Sequence, residues 1–217
     1  MKIFVVHLSS SQEMSDHDVL SPLEVERVSR YSERDQRLLM RDAYLQRRAI
    51  LSSQLGIMPS LIEFDYKMGK PSVRGTNGFH FSTSYSDQKM ILACSQEPVG
   101  ADLEKIEYLA EDALVANELY SPLEIEELSA ADKRSRHRNY FAIWTQKEAF
   151  AKGVGEGFGF EFSEFSVALD GGQVLSGAME KESLPWFTQP HGIKGDYMLA
   201  FATTTQTPDF QILHWNG

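Results

Sequence analysis

The chain has 217 residues, of which 42% are hydrophobic and 24% are charged, and its formal net charge is −10. This composition is typical of a globular protein with ample material for a core, and the acidic balance argues against general nucleic-acid binding. No apolar run approaches the ~20 residues that cross a bilayer, and residues 1–8 are too short for a signal peptide. The one cysteine, Cys94, excludes an internal disulfide and a cysteine-rich zinc site. We therefore expect a cytoplasmic protein that binds neither a membrane nor nucleic acid.

The first part of the chain predicts a strand, two helices and three further strands. Residues 21–24 read S-P-L-E, a helix start with serine as N-cap, proline at the first helical position and glutamate at the third. A second helix is predicted over residues 34–55, and Gly56 stands at its C-cap position. Residues 68–71 indicate a turn. Apolar and β-branched runs predict strands over residues 2–8, 62–66, 79–84 and 90–95.

The second part of the chain predicts a similar series. Asp170-Gly171-Gly172 lies between two short apolar runs and indicates a hairpin. Residues 133–138, K-R-S-R-H-R, carry four positive charges and predict a loop, which is either a docking surface for an acidic partner or a solvated loop without one. The remaining predicted elements are strands over 99–104, 197–203 and 210–214, and helices over 112–120, from 121, and over 139–152.

An internal repeat relates the two parts. S-P-L-E-V-E-R-V at 21–28 faces S-P-L-E-I-E-E-L at 121–128 with five of eight positions identical, and the offset is 100 residues. At the same offset Arg47 faces Lys147, whereas Arg48 faces Glu148. We infer an α+β protein made of two similar halves, roughly 1–97 and 98–217. Because an acid in the second half replaces a base in the first, we expect one active site between the halves.

Two carboxylates on a predicted strand give the first chemical clue. Side chains alternate along a strand, so Asp102 and Glu104 share one face while Ala101 and Leu103 point into the core. Carboxylates this close repel each other unless a cation or water intervenes. Two carboxylates joined by a third suit Mg²⁺, which takes oxygen ligands and keeps sites for phosphate oxygens. The alternative is a solvated strand edge without a metal.

The natural third carboxylate lies on the helix predicted over residues 139–152. Trp144, Glu148 and Lys152 are spaced i, i+4, i+8 and share roughly one helix face, which places a carboxylate beside an ammonium. Taken alone, Glu148 and Lys152 would be an exposed pair worth ~0.3–0.5 kcal/mol. Together with Asp102 and Glu104 they indicate a site for a metal and a phosphate.

The two segments resemble a known pair of motifs. V-G-A-D-L-E-K at 99–105, followed by W-T-Q-K-E-A-F-A-K at 144–152, resembles the paired signature of the Sfp-type 4′-phosphopantetheinyl transferases, G-(I/V)-D-(I/V)-E and W-(S/T)-x-K-E-(A/S)-x-x-K. M-G-K-P at 68–71 and F-H-F-S-T-S at 79–84 are similar to the family's G-K-P turn and F-N-x-S-H-S strand. The resemblance implies a monomeric pseudo-dimer. It also implies that the phosphopantetheine arm of coenzyme A passes to a serine of an apo acyl or peptidyl carrier protein, releasing adenosine 3′,5′-bisphosphate.

The resemblance implies roles for the acidic residues and for Lys152. Asp102, Glu104 and Glu148 would hold Mg²⁺ on the pyrophosphate, and Lys152 would contact the same phosphates. The attacking serine hydroxyl needs a base, for which Glu124 and Glu148 are both candidates. Glu124 also stands in the first turn of a helix, where an acid favours the helix dipole without any chemistry.

The resemblance also implies which residues bind coenzyme A. Lys70, beside the rigid Pro71, would meet the nucleotide end, and Ser82 would hydrogen-bond a phosphate. The family's strand histidine, which contacts the 3′-phosphate, is replaced by Thr83, which carries no charge. A basic position that the family uses near the nucleotide falls near Leu39, so Arg37 and Arg41 flank it.

Three functions from different classes remain open from the residues. The first is the transferase, and the second is a catalytically weak or silent relative that binds coenzyme A, which the threonine in place of histidine suggests. The third is an unrelated Mg²⁺-dependent phosphoesterase or nuclease, against which the acidic net charge counts.

Overall fold

A computed structural model describes residues 1–10, 19–107, 118–155, 161–176 and 184–216. Within these ranges the chain forms four α-helices whose first and last residues are both defined, and twelve strands. The helices are α1 (Pro22–Ser29), α2 (Arg34–Leu55), α3 (Pro122–Ala130) and α4 (Lys133–Val154). The strands are β1 (Lys2–His7), β2 (Phe64–Lys67), β3 (Lys70–Val73), β4 (His80–Ser86), β5 (Lys89–Ser95), β6 (Val99–Lys105), β7 (Phe165–Ser166), β8 (Gly172–Gln173), β9 (Leu175–Ser176), β10 (Phe187–Ile193), β11 (Tyr197–Thr203) and β12 (Gln211–Trp215). No helix of this described part is long and apolar enough to cross a membrane.

Two four-stranded sheets carry most of the strands. The first sheet has the order β12-β1-β5-β4, in which β1 pairs antiparallel with β5 and parallel with β12. The second has the order β6-β11-β10-β8 and is antiparallel throughout. Strands β1 and β11 are inner strands of their sheets, and their apolar runs bury side chains on both faces.

The sheets pack face to face between two long helices. α2 covers the outer face of the first sheet, where Ile50 packs with Phe4 and Leu92. The opposite face of the same strands turns to the second sheet, so that Ile3 and Ile91 lie in one cluster with Ala101, Leu103 and Leu199. α4 covers the outer face of the second sheet, and its Phe150 shares a cluster with Met198 and Ala200. The four layers are therefore helix, sheet, sheet and helix.

The structure repeats what the sequence repeats. β1-β5-β4 in the first sheet corresponds to β6-β11-β10 in the second, and in each set a pair of helices lies in the chain between the first strand and the other two. Ser21 and Ser121 cap α1 and α3 through the same capping box, in which the serine Oγ accepts from the backbone N–H of Glu24 or Glu124. The expected α+β architecture of two similar halves is confirmed.

The predicted division at residue 97 stays a prediction, but the last strand adds a detail to it. β12 follows the second series in the chain and yet lies in the first sheet, beside β1. Its Trp215 donates its indole N–H to Gln46 on α2 at 3.0 Å and packs edge-on against Phe4. The C-terminal strand therefore fastens the end of the chain to the first half.

The structure corrects one helix boundary. Residues 133–138 were expected to be a loop, but they form the first turns of α4, which begins at Lys133. Asp132 accepts a hydrogen bond from the N–H of Ser135, and Arg136 donates to the carbonyls of Leu128 and Ala131 at the end of α3. These caps satisfy the backbone groups that otherwise favour a loop.

Three other predictions concern a strand, a turn and a helix. β10 was not predicted, because Pro190 in its centre is typical of a loop; its outer edge is covered by β8 only at Phe187 and Thr188, so the missing N–H costs no ladder bond there. The predicted turn at 68–71 is the tip of the β2–β3 hairpin. Residues 112–117 of the helix predicted over 112–120 lie outside the described residues.

Candidate active site

A cleft of about 330 Å³ opens between the two halves. The first half supplies helices α1 and α2, the β2–β3 hairpin and strand β4, and the second half supplies the last turns of α4. The lining residues with polar or charged side chains are Arg27, Tyr44, Arg47, Lys70, Ser82, Thr83, Tyr85, Glu148 and Lys152.

Most of the predicted binding residues meet in this cleft. Lys70 and Pro71 come from the hairpin, Ser82 and Thr83 come from β4, and Lys152 comes from α4 together with Glu148. Residues that are up to 82 positions apart in sequence are thus brought to one place. Arg41 is the exception, since it does not line the cleft in the described part of the protein.

Asp102 lies beside the cleft, at the junction between the halves. It is 2% exposed, and its Oδ1 accepts from Ser84 Oγ at 2.8 Å and pairs with Lys152 Nζ at 2.5 Å. Lys152 also donates to the same Ser84 hydroxyl at 3.0 Å, so the three groups form a closed triangle. The other oxygen, Oδ2, is buried without a hydrogen-bond partner among the described residues. A buried carboxylate oxygen left in this way favours a cation.

Glu104 points to the same face of β6, as the alternation predicts. Its Oε2 accepts from Ser86 Oγ at 3.1 Å, and its Oε1 accepts from the indole N–H of Trp144 at 3.4 Å. Burial, together with the charge of Asp102, raises the pKa of Glu104 to about 7. The protein therefore holds two carboxylates that resist being ionised at once unless a cation joins them.

Glu148 and Lys152 complete the charged cluster from α4. Burial and the negative charge of Asp102 raise the pKa of Glu148, although Lys152 opposes this. Burial acts to lower the pKa of Lys152, but the attraction of Asp102 outweighs it and the pKa is raised. Asp102 is thus the group to which both residues of α4 respond.

Serines on alternate positions of β4 join the two sheets. β4 and β6 are edge strands of different sheets, and no backbone ladder connects them in the described structure. Ser82 Oγ accepts from the N–H of Ala101 at 3.0 Å, and Ser86 Oγ accepts from the N–H of Lys105 at 2.9 Å. These hydroxyls replace the missing ladder partners and fix β6, with its carboxylates, against the first half.

Lys70 also bridges the halves. Its Nζ donates to the carbonyl of Gly153 at 2.7 Å and to that of Val99 at 3.3 Å. Gly153 follows Lys152 on α4, and Val99 begins the strand that carries Asp102. Burial lowers the pKa of Lys70 to about 8. The ammonium from the hairpin therefore contacts the backbone of both elements that carry the charged cluster.

A close backbone approach brings those two elements together. A Cβ atom on Gly100 would overlap the carbonyl oxygen of Ala149 and the amide nitrogen of Gly153. Only glycine at position 100 allows β6 and α4 to lie this close. Asp102 and Lys152 can form their short contact because of this approach.

The charged cluster offers carboxylate oxygens to Mg²⁺, but they are not gathered around one point. No group of three or more His, Cys, Asp or Glu side chains is close enough to hold a metal ion among the described residues. Lys152 lies on Asp102 instead. The donor set nevertheless fits Mg²⁺ chemically, since Asp102, Glu104 and Glu148 are oxygen ligands coupled through the charge of Asp102, and one buried oxygen of Asp102 lacks a partner in this part of the chain.

Comparison with known proteins decides the family. The model of the 4′-phosphopantetheinyl transferase superfamily matches residues 98–202. A 4′-phosphopantetheinyl transferase of Bacillus subtilis strain 168, Sfp, is 27% identical over 97% of this chain and 94% of its own length. The 4′-phosphopantetheinyl transferase AcpT of Escherichia coli O157:H7 is 33% identical over 52% of this chain and 57% of its own.

The chain belongs to the 4′-phosphopantetheinyl transferase superfamily. A crystal structure of Thermotoga maritima holo-[acyl-carrier-protein] synthase is also similar to it, with a TM-score of 0.35 and 15% identity over 51% of this chain and 64% of that one. The residues matched by the superfamily model include both β6 and α4, the two elements that carry the charged cluster.

Within this transferase, Glu124 lies apart from the cleft lining. It is 1% exposed and pairs with Lys147 Nζ at 2.9 Å, and its two oxygens also accept from the N–H groups of Val167 and Ser121, each at 2.8 Å. Glu24 forms the equivalent pair with Arg47 in the first half. These contacts favour the structural alternative for Glu124, and its role as a base stays a prediction.

The structure adds cleft residues that the sequence did not reveal. Arg27 and Arg47 line the cleft with Tyr44, and the guanidinium of Arg27 stacks over the ring of Tyr66 at 4.4 Å. The internal repeat aligns Arg47 with Lys147, but a sequence repeat does not show that the side chain of Arg47 lines a cleft. Arg27 carries no sequence signal beyond its position on an amphipathic helix.

Proposed function

We propose that this member of the transferase superfamily passes the 4′-phosphopantetheine arm of coenzyme A to a serine of an apo acyl or peptidyl carrier protein. The products are the holo carrier protein and adenosine 3′,5′-bisphosphate. One observation carries the proposal: Lys152, which pairs with Asp102, lines the same cleft as Glu148, Lys70 and Thr83. A polyphosphate needs such a concentration of cations and metal-ligand oxygens.

The cleft's cations are assigned to coenzyme A. Lys152 faces the region of the carboxylates and would bind the pyrophosphate, while Lys70 and Arg27 line the side formed by the first half. The rigid Pro71 and the left-handed tip residues of the hairpin, Met68 and Gly69, hold Lys70 in place. Ser82 and Thr83 add hydroxyl groups on the adjacent strand.

Asp102, Glu104 and Glu148 would hold Mg²⁺. Bound there, Mg²⁺ neutralises charge that develops on the phosphate oxygens during transfer. Their side chains have to draw together for this purpose, and the serines of β4 and the indole of Trp144 keep two of them on the face where they are needed.

Glu148 is our candidate for the base. The hydroxyl oxygen of the carrier serine forms a bond to the phosphorus of the pantetheine phosphate, and the bond from this phosphorus to the bridging oxygen breaks. The hydroxyl proton passes to a carboxylate, directly or through water. In the metal-free protein, burial and the charge of Asp102 raise the pKa of Glu148 above the ordinary value of a glutamate, which favours proton acceptance.

We further propose that the protein acts as a monomer in the cytoplasm. Both walls of the cleft come from one chain, so that the site needs no second copy.

The transfer reaction itself tests the proposal. The protein is incubated with coenzyme A, Mg²⁺ and an apo carrier protein, and the intact mass of the carrier is followed. We expect the mass to rise by one phosphopantetheine group. A carrier of unchanged mass together with measurable coenzyme A binding would instead support the silent relative, and hydrolysis of coenzyme A without transfer would support a phosphoesterase.

A further inference from the structure

The contact between Lys152 and Asp102 places an ammonium on a carboxylate that the metal would need. Asp102 Oδ1 pairs with Lys152 Nζ at 2.5 Å, and the carboxylate is 3% exposed while the lysine side chain is 34% exposed. The Lys152 side chain is partly exposed and lines the cleft, which leaves it room to withdraw from Asp102. The buried partner cannot move as freely, because Ser84 holds it at 2.8 Å.

We propose that Lys152 is the resident counter-cation of Asp102 in the metal-free protein and that it gives up this carboxylate when a divalent cation binds. The inference rests on the proposed function, since it takes Asp102 as a metal ligand. Lys152 then has a role beyond contacting phosphate: it balances the charge of Asp102 in the metal-free site and competes with the metal for that carboxylate.

The buried carboxylate of Asp102 needs a cation beside it. Asp102, Glu104 and Glu148 bring negative charge to one place, and a buried carboxylate left without a cation is strongly unfavourable. Lys152 is the cation that touches Asp102 in the described structure. A dication beside an ammonium within a few ångströms is repelled, so both cannot remain on Asp102 without cost.

Release of Lys152 from Asp102 would also affect the binding of coenzyme A. An ammonium freed from Asp102 stays anchored on α4 beside the cleft, where a polyanion can take it as a partner. Metal and coenzyme A would then strengthen each other's binding, because each relieves a cost that Lys152 imposes on the other.

Mg²⁺ affinity, measured by titration calorimetry without coenzyme A, tests the competition. We expect Lys152→Gln to bind Mg²⁺ at least about tenfold more tightly than the native protein. Lys152→Arg keeps the charge and is expected to stay close to the native affinity. Lys2→Gln removes one positive charge far from the site, at a residue that bonds only Gln54 in the described structure, and serves as the matched control.

The outcomes separate this inference from the function on which it rests. Tighter binding in Lys152→Gln alone supports the competition. Equal or weaker binding in Lys152→Gln, or equal tightening in Lys152→Arg, overturns it while leaving the metal site in place. If none of the four proteins binds Mg²⁺, the metal site of the proposed function fails as well.

A labelling experiment covers the case in which Lys152→Gln does not fold. The native protein is treated with an amine-acylating reagent with and without Mg²⁺, and modification of Lys152 is measured by peptide mass spectrometry. Release from Asp102 predicts faster labelling of Lys152 with Mg²⁺, while Lys2 stays unchanged. Equal or slower labelling of Lys152 in the presence of bound Mg²⁺ overturns the inference.

Discussion

Glu124 and Lys147 form a buried ion pair at 2.9 Å, with side chains that are 1% and 0% exposed. One hundred positions earlier in the sequence, Glu24 pairs with Arg47 at 2.6 Å, and both of these side chains are also buried. In both halves the glutamate also closes the capping box of its helix. The pair therefore fastens the first helix of each half to the second, and through α4 it supports the helix that carries Glu148 and Lys152.

Glu124→Gln tests whether this residue is structural or chemical. Breaking one partner of a buried pair leaves an uncompensated charge on Lys147, and we expect the free energy of unfolding to fall by about 3–5 kcal/mol. Chemical denaturation of native and variant protein measures it. A variant of native stability that has lost transfer activity would instead make Glu124 the base.

Gly100→Ala should damage both stability and activity. The added methyl overlaps the backbone of α4 at Ala149 and Gly153, which cannot move aside as a side chain can. We expect a loss of about 1–3 kcal/mol in unfolding free energy and a fall in kcat, because β6 moves away from α4 and separates Asp102 from Glu148. Thermal unfolding and transfer kinetics check the two effects. Native values for both would show that the close approach is not required.

Much of the fold could be predicted from local patterns. The bounds of α2 and the cap at Gly56 follow from its apolar positions and the glycine, which adopts φ 68°. Strand alternation correctly placed Asp102 and Glu104 on one face and Ala101 in the core. These features depend on neighbours within a few residues, which is why the sequence alone reveals them.

Features that depend on distant partners could not be predicted. The start of α4 depends on Arg136, which reaches back to the carbonyls of α3, and β10 tolerates Pro190 because the outer edge of the strand is largely unpaired in the described structure. The contact of Lys152 with Asp102 depends on how closely two elements pack. That Arg27, rather than Arg41, lines the cleft depends on how α1 and α2 sit on the first sheet.

Lys70 predicts a pH dependence of stability. Burial lowers its pKa from 10.5 to about 8, so between these values the unfolded chain binds a proton that the folded protein does not. Stability rises with pH wherever the unfolded state binds more protons. We therefore expect the unfolding free energy of the native protein, relative to Lys70→Met, to increase from about pH 8 to about pH 10.5. Denaturation of both proteins across this range measures the difference; a constant or falling difference contradicts the assignment.

We expect Arg27, and not Arg41, to bind the 3′-phosphate of coenzyme A. Thr83 carries no charge, and hydrogen bonds to charged groups are worth roughly 1.5–3 kcal/mol against ~1 for neutral pairs. Because Arg27 lines the cleft with Thr83, we expect Arg27→Ala to lower kcat/KM for coenzyme A about tenfold or more, with a smaller effect for dephospho-coenzyme A. Arg41→Ala should change neither ratio. A selective loss in Arg41→Ala alone would restore the assignment made from the sequence.

Thr83→His provides a second check on the same phosphate. A histidine at this position adds partial positive charge beside the cleft, and we expect it to favour coenzyme A over dephospho-coenzyme A by up to about tenfold. The comparison of kcat/KM for both donors measures this preference. An unchanged preference would mean that position 83 does not contact the 3′-phosphate.

We propose that one site between the halves transfers phosphopantetheine with the help of Asp102. The most direct measurement follows holo carrier protein and adenosine 3′,5′-bisphosphate together, in reactions of the native protein and of Asp102→Asn with coenzyme A, Mg²⁺ and an apo carrier. We expect equal molar amounts of both products from the native protein, and at least a hundredfold lower rate, on the order of 3 kcal/mol, from a folded Asp102→Asn. Near-native transfer by that folded variant, or no holo carrier from the native protein, would contradict it.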